Sequence, residues 1–98
     1  PETGRAERRG RVRAKVKFSA CVRTSEFGDD VVRCIDMSKG GMSFRGGRAY
    51  MTEMEVQIAV PFAGNESGVA PMFVRARIAN VREEQSGVWR CGVEFLRR

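Results

Sequence analysis

The sequence predicts an all-β domain, and three observations support this prediction. Apolar and polar residues alternate with a period of two along several short segments, and no long segment has the periodicity of an amphipathic helix. Turns rich in glycine, proline and aspartate separate these segments at short intervals. The 98 residues, 42% of them hydrophobic, are enough for one domain with its own core. This pattern indicates a β-sandwich or a β-barrel, and we prefer the barrel because closure leaves no strand edge exposed.

Six segments are predicted to be strands, each with one apolar face. In chain order they cover residues 15–23, 31–37, 42–45, 54–60, 72–81 and 89–95. The predicted inward-facing residues include Phe18, Ala20, Val22, Val74, Ala76, Ile78, Trp89, Cys91, Val93 and Phe95. Loops are predicted around Gly28, at residues 38–41 and at residues 83–87, and Pro61 ends the fourth strand.

Positive charge is concentrated at the N-terminus. Residues 1–17 contain seven basic and two acidic residues, a net charge of +5, whereas the whole chain carries +6. We predict that residues 1–13 form a flexible, arginine-rich arm and that residues 14–98 form the folded domain. A segment with this composition has little apolar surface to bury and attracts phosphate groups. The alternative is a solvated basic tail with no specific ligand.

The composition argues against catalysis and against a metal site. Histidine is absent, and Cys21, Cys34 and Cys91 are widely spaced without a Cys-x-x-Cys pair, so zinc would lack its ordinary ligands. The commonest general base is therefore missing, and no carboxylate or lysine arrangement replaces it. We predict a cytoplasmic binding domain with reduced thiols, no catalytic residues and no cofactor. No apolar run in these 98 residues approaches the roughly 18 residues that span a bilayer, and none resembles the apolar region of a signal peptide.

The segment from Asp36 to Gly41 combines a carboxylate, a hydroxyl and two glycines in one predicted turn. Asp36 either caps backbone amides as an Asx-turn or accepts two parallel hydrogen bonds, such as those from N1–H and N2–H of guanine. Ser38 either stabilises the turn or binds a phosphate or base. Gly40 and Gly41 permit positive φ and a close approach of ligand to backbone. We interpret the turn as part of a nucleotide site.

Arginines precede the first strand, in the segment Arg8-Arg9-Gly-Arg11-Val-Arg13. A guanidinium group matches two phosphate oxygens, or O6 and N7 of guanine, and it also stacks on a base. The spacing Arg-x-x-x-Arg occurs twice, because Arg5 and Arg9 satisfy it as well as Arg9 and Arg13. On these residues alone, a specific ligand and a general affinity for polyanions remain alternatives.

Taken in order, these elements resemble the PilZ family over about residues 8–95. The shared features are an Arg-Arg-x-x-x-Arg element, an alternating strand, an Asp-x-Ser-x-x-Gly turn one hairpin later, and Cys-Gly-Val-Glu-Phe in the last strand. The alternating strand follows the second arginine, as it does in PilZ domains. This register selects Arg9 and Arg13 as the pair and leaves Arg5 and Arg11 as bystanders.

The resemblance implies a six-stranded antiparallel barrel that binds the bacterial second messenger cyclic di-GMP. It implies that Arg9 and Arg13 grip guanine and phosphate, while Asp36 and Ser38 hold a guanine edge and the glycines shape the turn. An additional arginine immediately before the motif, here Arg8, accompanies binding of two intercalated ligand molecules in this family. The arm would order on the ligand, and a neighbouring domain or effector protein would detect the change.

Two alternative functions are weighed against this one. A small barrel that binds single-stranded nucleic acid needs exposed aromatic rings, and Phe18, Trp89 and Phe95 are predicted to face the core, so nucleic acid is disfavoured as a partner. A protein-interaction adaptor that binds no nucleotide would use apolar loop residues as its surface. The candidates are Tyr50, Met51, Met54 and Phe62, which we instead predict to close a barrel end.

Overall fold

The computed structural model describes residues 14–62 and 70–96, with the side chains of residues 14–17 left out of the description. Its six strands are β1 (Ala14–Thr24), β2 (Gly28–Met37), β3 (Gly41–Gly46), β4 (Glu55–Ala59), β5 (Phe73–Gln85) and β6 (Val88–Phe95). All neighbouring strands are antiparallel, and they close into a barrel in the order β1-β2-β3-β6-β5-β4. The predicted six-stranded antiparallel barrel is therefore confirmed. The predicted arm, residues 1–13, lies outside the described residues.

Two strands extend well beyond their predicted ends, while the bounds of the other four differ from prediction by one residue at each changed end. β2 begins at Gly28, and β5 continues to Gln85 into residues that were predicted to be a turn. Both extensions belong to hairpins that turn at a glycine with positive φ, 74° at Gly28 and 78° at Gly87. The added residues are polar because the hairpins project beyond the core, so their side chains have no apolar face to cover. Across the first hairpin, Arg23 Nε donates to Asp29 Oδ1 at 2.8 Å.

The core is built from residues of all six strands and from Tyr50 in the loop between β3 and β4. Its buried members are Ala20, Val22, Val32, Cys34, Met42, Phe44, Tyr50, Val56, Ile58, Ala76, Ile78, Cys91 and Val93. Phe18 and Phe95 pack against this cluster, as predicted. Two predicted core residues lie outside this cluster: Val74 is 44% exposed although it pairs with the buried Ile58, and Trp89 is half-buried near the start of β6. Both lie close to a strand end, where the barrel no longer encloses its interior.

Tyr50 closes one end of the barrel. Its side chain is 3% exposed, and its hydroxyl donates to Asp30 Oδ2 at 2.8 Å. The ring meets Phe44 edge-on, with centroids 5.9 Å apart. Met54 also packs against the core, whereas Met51 is 72% exposed. Of the four predicted residues, Tyr50 and Met54 thus pack in or against the core, Met51 does not, and Phe62 is half-buried outside the core cluster.

Gly41 is required by the approach of β6 to β3. A Cβ atom at this position would lie against the carbonyl oxygen of Val93, well under the 3.0 Å limit of real contacts. The amide of Phe95 donates to the carbonyl of Gly40 at 2.8 Å, which holds the two chain segments together. Neither Gly40 nor Gly41 uses the positive φ that a glycine permits. The glycine at position 41 serves a backbone contact within the barrel.

Replacing Gly41 with alanine is expected to destabilise the barrel. The added methyl must push backbone away from backbone, and overpacking of this kind costs about 1–3 kcal/mol or more. Chemical denaturation of the two proteins measures the difference in the free energy of unfolding. Gly47→Ala is the matched control, because the nearest atom to its new Cβ would be 3.9 Å away. Equal effects of the two substitutions would show that the β3–β6 contact is not tight.

The three cysteines are free, buried thiols, and burial raises the pKa of each. The pKa of Cys34 rises from 9.0 to about 11. Between these values the unfolded chain loses a proton that the folded protein keeps, so ionisation favours unfolding as the pH increases. We therefore expect the free energy of unfolding, measured by urea denaturation, to fall as the pH rises from about 9 to 11. Cys34→Ala removes one such group, and an undiminished pH dependence in this variant would contradict the assignment.

Candidate functional site

The predicted turn connects β2 to β3 and is held by its own backbone. The amide of Ser38 donates to the carbonyl of Gly41 at 2.9 Å, and Ser38 Oγ lies 3.4 Å from the same oxygen. Lys39 at its tip is exposed. The structure thus places Ser38 against Gly41 within the turn, directly after the end of the strand that carries Asp36.

Asp36 lies on the outer surface of the barrel. The pairing of β2 with β3 shifts register between Cys34 and Asp36, so that Asp36 stands opposite Ser43. Ser43 lies between the core residues Met42 and Phe44 and therefore faces outward. Although it is on this outer face, Asp36 is only 8% exposed. A carboxylate this buried needs polar partners, and one of them is Arg90, whose Nη2 lies 3.3 Å from Asp36 Oδ2.

A polar row crosses four strands at the level of Asp36. Strand register places Asp36 opposite Ser43, Ser43 opposite Gly92, and Gly92 opposite Asn80. Adjacent members are one strand spacing apart, about 4.8 Å. A Cβ on Gly92 would come within 2.9 Å of the Asn80 side chain, so the amide lies over the glycine. The row offers a carboxylate, a hydroxyl and an amide across β2, β3 and β5.

A row of arginines runs beside the polar row. Arg33 pairs with Arg45, Arg45 with Arg90, and Arg90 with Arg82, again across β2, β3, β6 and β5. Each lies next to a residue whose side chain contributes to the core or packs against it, so all four face outward. We call these four residues the arginine row.

Glu84, near the end of β5, is the carboxylate that contacts most of the arginine row. Arg45 Nε donates to Glu84 Oε1 at 2.6 Å, while Glu84 Oε2 lies 3.6 Å from Arg90 Nη1 and 3.8 Å from Arg82 Nη2. The hydrogen bond from Arg45 is the main reason why the pKa of Glu84 is lowered, and the same bond raises the pKa of Arg45. Among the described residues, three of these four guanidinium groups are paired, and they share only two carboxylates, Asp36 and Glu84.

On the outer face of β1, β4 and β5, the arginines are paired with carboxylates differently from those of the arginine row. Here Arg23 pairs with Asp29 at 2.8 Å, Arg75 with Glu55 at 2.6 Å, and Arg77 with Glu53 at 2.9 Å as well as with Glu94. Every one of these arginines has at least one carboxylate of its own. Among the described residues, the arginines that share a carboxylate or lack one therefore lie on the side of the barrel that carries Asp36.

Sequence reasoning did not identify Ser43, Asn80, Gly92 or the arginine row. Asp36 and Arg90 are 54 residues apart in the chain, and only the closed sheet brings them together. The arginines did have one signal, since they occupy the polar positions of alternating strands. Arg8, Arg9 and Arg13 fall outside the described residues, and their role remains a prediction.

Two other classes of site find little support in the described part of the chain. It contains no group of three or more His, Cys, Asp or Glu residues that could hold a metal ion. Within residues 14–62 and 70–96, no helix is long and apolar enough to cross a membrane. The aromatic ring most exposed there belongs to Phe27, at 41%, and it packs against Tyr50 and beneath Arg48.

The fold is similar to those of two solved proteins. Bacillus subtilis inhibitor of motility, MotI/DgrA, matches with a TM-score of 0.68 and 14% identity over 92% of this chain and 43% of that one. The K. pneumonia MrkH–c-di-GMP complex matches with a TM-score of 0.64 and 11% identity over 90% of this chain and 44% of that one. MrkH in its apo state matches with a TM-score of 0.60 and 13% identity, over 90% of this chain and 42% of that one. The chain therefore spans less than half the length of these proteins, and the low identities show a common fold only.

The sequence comparison identifies the family. The curated proteins give no match to this chain. A family model described as PilZ domain matches residues 5–98, which include the barrel, the Asp36 turn and the predicted arginine pair. With nearly the whole length matched, and with the six-stranded barrel that its structural neighbours share, this chain belongs to the PilZ domain family.

Proposed function

We propose that this domain is a receptor for cyclic di-GMP, which it binds on the outer face of the barrel around Asp36. The observation that carries the proposal is the position of the Asp36 carboxylate, held at the surface beside Ser43 and Arg90 in a member of the PilZ family. A structural neighbour of this chain, MrkH, was solved as a complex with c-di-GMP. The proposal is for a binding domain with no cofactor rather than an enzyme.

The polar row suits the edge of a guanine. A carboxylate accepts two parallel hydrogen bonds, and N1–H and N2–H of guanine present such a pair. Ser38 can exchange its 3.4 Å contact with the turn for a hydrogen bond to the ligand. Gly92 contributes no side chain of its own, and the Asn80 amide occupies the space above it, so that its donor and acceptor are available beside Ser43. Together these features favour a planar, polar ligand over an apolar one.

The arginine-rich arm supplies the second half of the proposed site. Arg9 and Arg13 would bind phosphate and guanine, and their mutual repulsion would be relieved by the two negative charges of the ligand. Binding would then order the arm against the barrel, at a cost in chain entropy, and so couple ligand to a change of shape. A neighbouring domain or an effector protein in the cytoplasm would detect that change.

The two alternative functions have less support. Base stacking on single-stranded nucleic acid requires exposed rings, and the partly buried Phe18, Trp89 and Phe95 and the packed Phe27 do not supply a row of them. An adaptor surface built on Tyr50 and Met54 is disfavoured because both contribute to the core or pack against it.

Arg13→Ala is expected to weaken cyclic di-GMP binding by roughly 10- to 150-fold. The reason is the loss of a charge-assisted, bidentate contact worth about 1.5–3 kcal/mol. Isothermal titration calorimetry at fixed salt measures the change. Arg5→Ala is the matched control, since it removes the same charge from the same segment but lies outside the selected pair. Parent-like affinity in Arg13→Ala, or equal losses in both variants, would contradict the assignment of the arm.

The additional arginine before the motif predicts two ligand molecules per domain. Arg8 would stack on, or donate to, the second molecule. Calorimetry should give a stoichiometry of two for the parent, and Arg8→Ala should reduce it towards one while keeping the first molecule bound. A stoichiometry of one in the parent protein would overturn the two-ligand arrangement without affecting the receptor function.

A further inference from the structure

The carboxylate of Glu84 lies among three guanidinium groups. Its carboxylate accepts a 2.6 Å hydrogen bond from Arg45 and lies within 4 Å of Arg90 and Arg82. The side chain is 22% exposed, although the arginines around it are 28–69% exposed. The carboxylate is therefore partly covered by groups that are themselves accessible to a ligand from solvent.

The arginine row is an unfavourable arrangement without an anion. Like charges at directly opposed positions of neighbouring strands destabilise a sheet, and here the opposition repeats across four strands. Three guanidinium groups offer up to fifteen N–H donors, whereas one carboxylate has about four acceptor sites. In the described residues, Arg33 adds a fourth cation with no ion pair of its own. A phosphate diester carries the same single charge as Glu84, but it is not tethered to β5, and its tetrahedral arrangement of oxygens can be shared among more of these donors.

The arginine row adjoins the polar row. Arg90 contacts both Glu84, at 3.6 Å, and Asp36, at 3.3 Å. Along β6, Arg90 and Gly92 are two residues apart, a separation of about 7 Å. A group bound among the arginines would therefore lie beside a base that is bound at Asp36, and both could belong to one nucleotide ligand.

We propose that Arg45, Arg82 and Arg90 form a second anion subsite, which binds a phosphate diester and which Glu84 fills when no ligand is bound. For the identity of its ligand this inference rests on the proposed function, because its proximity to Asp36 favours a cyclic dinucleotide as the source of the phosphate. A single-stranded nucleic acid carries the same chemical group and is the other source. Glu84 acts as an internal competitor in both cases.

The first test removes the competitor. Glu84→Gln keeps the shape of the side chain and deletes its charge, so the affinity for cyclic di-GMP should increase about two- to fivefold, the range expected of exposed charge pairs. Glu55→Gln is the matched control, because Glu55 accepts an equally short 2.6 Å bond, from Arg75, on the other face. Unchanged affinity in Glu84→Gln, or equal changes in both variants, would overturn the subsite.

The second test removes a cation. Arg82→Ala should weaken binding about two- to fivefold, while Arg75→Ala, on the same strand and with comparable side-chain exposure of 60% against 69%, should not. A short oligothymidylate, titrated in parallel, distinguishes the sources of the phosphate. Stronger dependence on Arg82 for the oligothymidylate than for cyclic di-GMP would assign the subsite to nucleic acid and overturn the cyclic dinucleotide as its ligand.

A third measurement separates failure of the subsite from failure of the receptor function. If neither the parent protein nor any of these variants binds cyclic di-GMP, the proposed function is wrong. The subsite is then tested with inorganic pyrophosphate as its ligand. NMR signals of the Nε–Hε groups of Arg45, Arg82 and Arg90 should then shift on titration, and they should shift at lower concentration in Glu84→Gln. The absence of any such shift would overturn the subsite. If the parent protein binds cyclic di-GMP and the Glu84 and Arg82 variants match it, the receptor function stands and the subsite alone fails.

Discussion

The close backbone contact between β3 and β6 is the constraint on which the rest of the structure depends. These strands are far apart in the sequence, and their pairing joins the β1–β2–β3 segment to the β5–β6 hairpin on this side of the barrel. Gly41 permits the contact because any larger residue would strike the Val93 carbonyl. With β6 fixed beside β3, Arg90 is brought next to Asp36 and to Arg45. The electrostatics of the candidate site are thus a consequence of a steric requirement at one glycine.

The alternation of inward-facing and outward-facing residues along each strand constrains the rest of the surface in a similar way. Once apolar residues such as Phe44 and Cys91 face the core, the intervening residues Arg45 and Arg90 must face outward, and pairing sets them side by side. A slip of one residue would bury arginines and expose the core, so the hydrophobic effect holds like charges together. On the opposite face the same rule places Arg75 beside Glu55, with the opposite electrostatic result.

Local patterns in the sequence were enough to predict the barrel, most of its core and the turn after β2. They were not enough to predict the polar row or the arginine row. Alternation is a property of each strand by itself, so Ala20, Val22 and Ile78 were correctly assigned to the interior. The position of Asn80 over Gly92 depends on pairing and on a register shift between β5 and β6, which a single sequence does not encode in any local pattern. The sequence singled out Gly41 for the shape of the turn, and the structure adds a second requirement, the close approach of β6, which no local pattern could reveal.

The position of Arg90 gives the two rows a physical means of acting together. Its guanidinium group lies between the carboxylates of Asp36 and Glu84, at 3.3 and 3.6 Å. If a phosphate enters the arginine row and attracts Arg90, Asp36 loses one of its contacts, and its carboxylate is freer to accept hydrogen bonds from a base. If a base binds Asp36 first, Arg90 is released towards the phosphate instead. Each event lowers the cost of the other, so binding of base and phosphate at this surface would be positively coupled, as linkage between two sites requires.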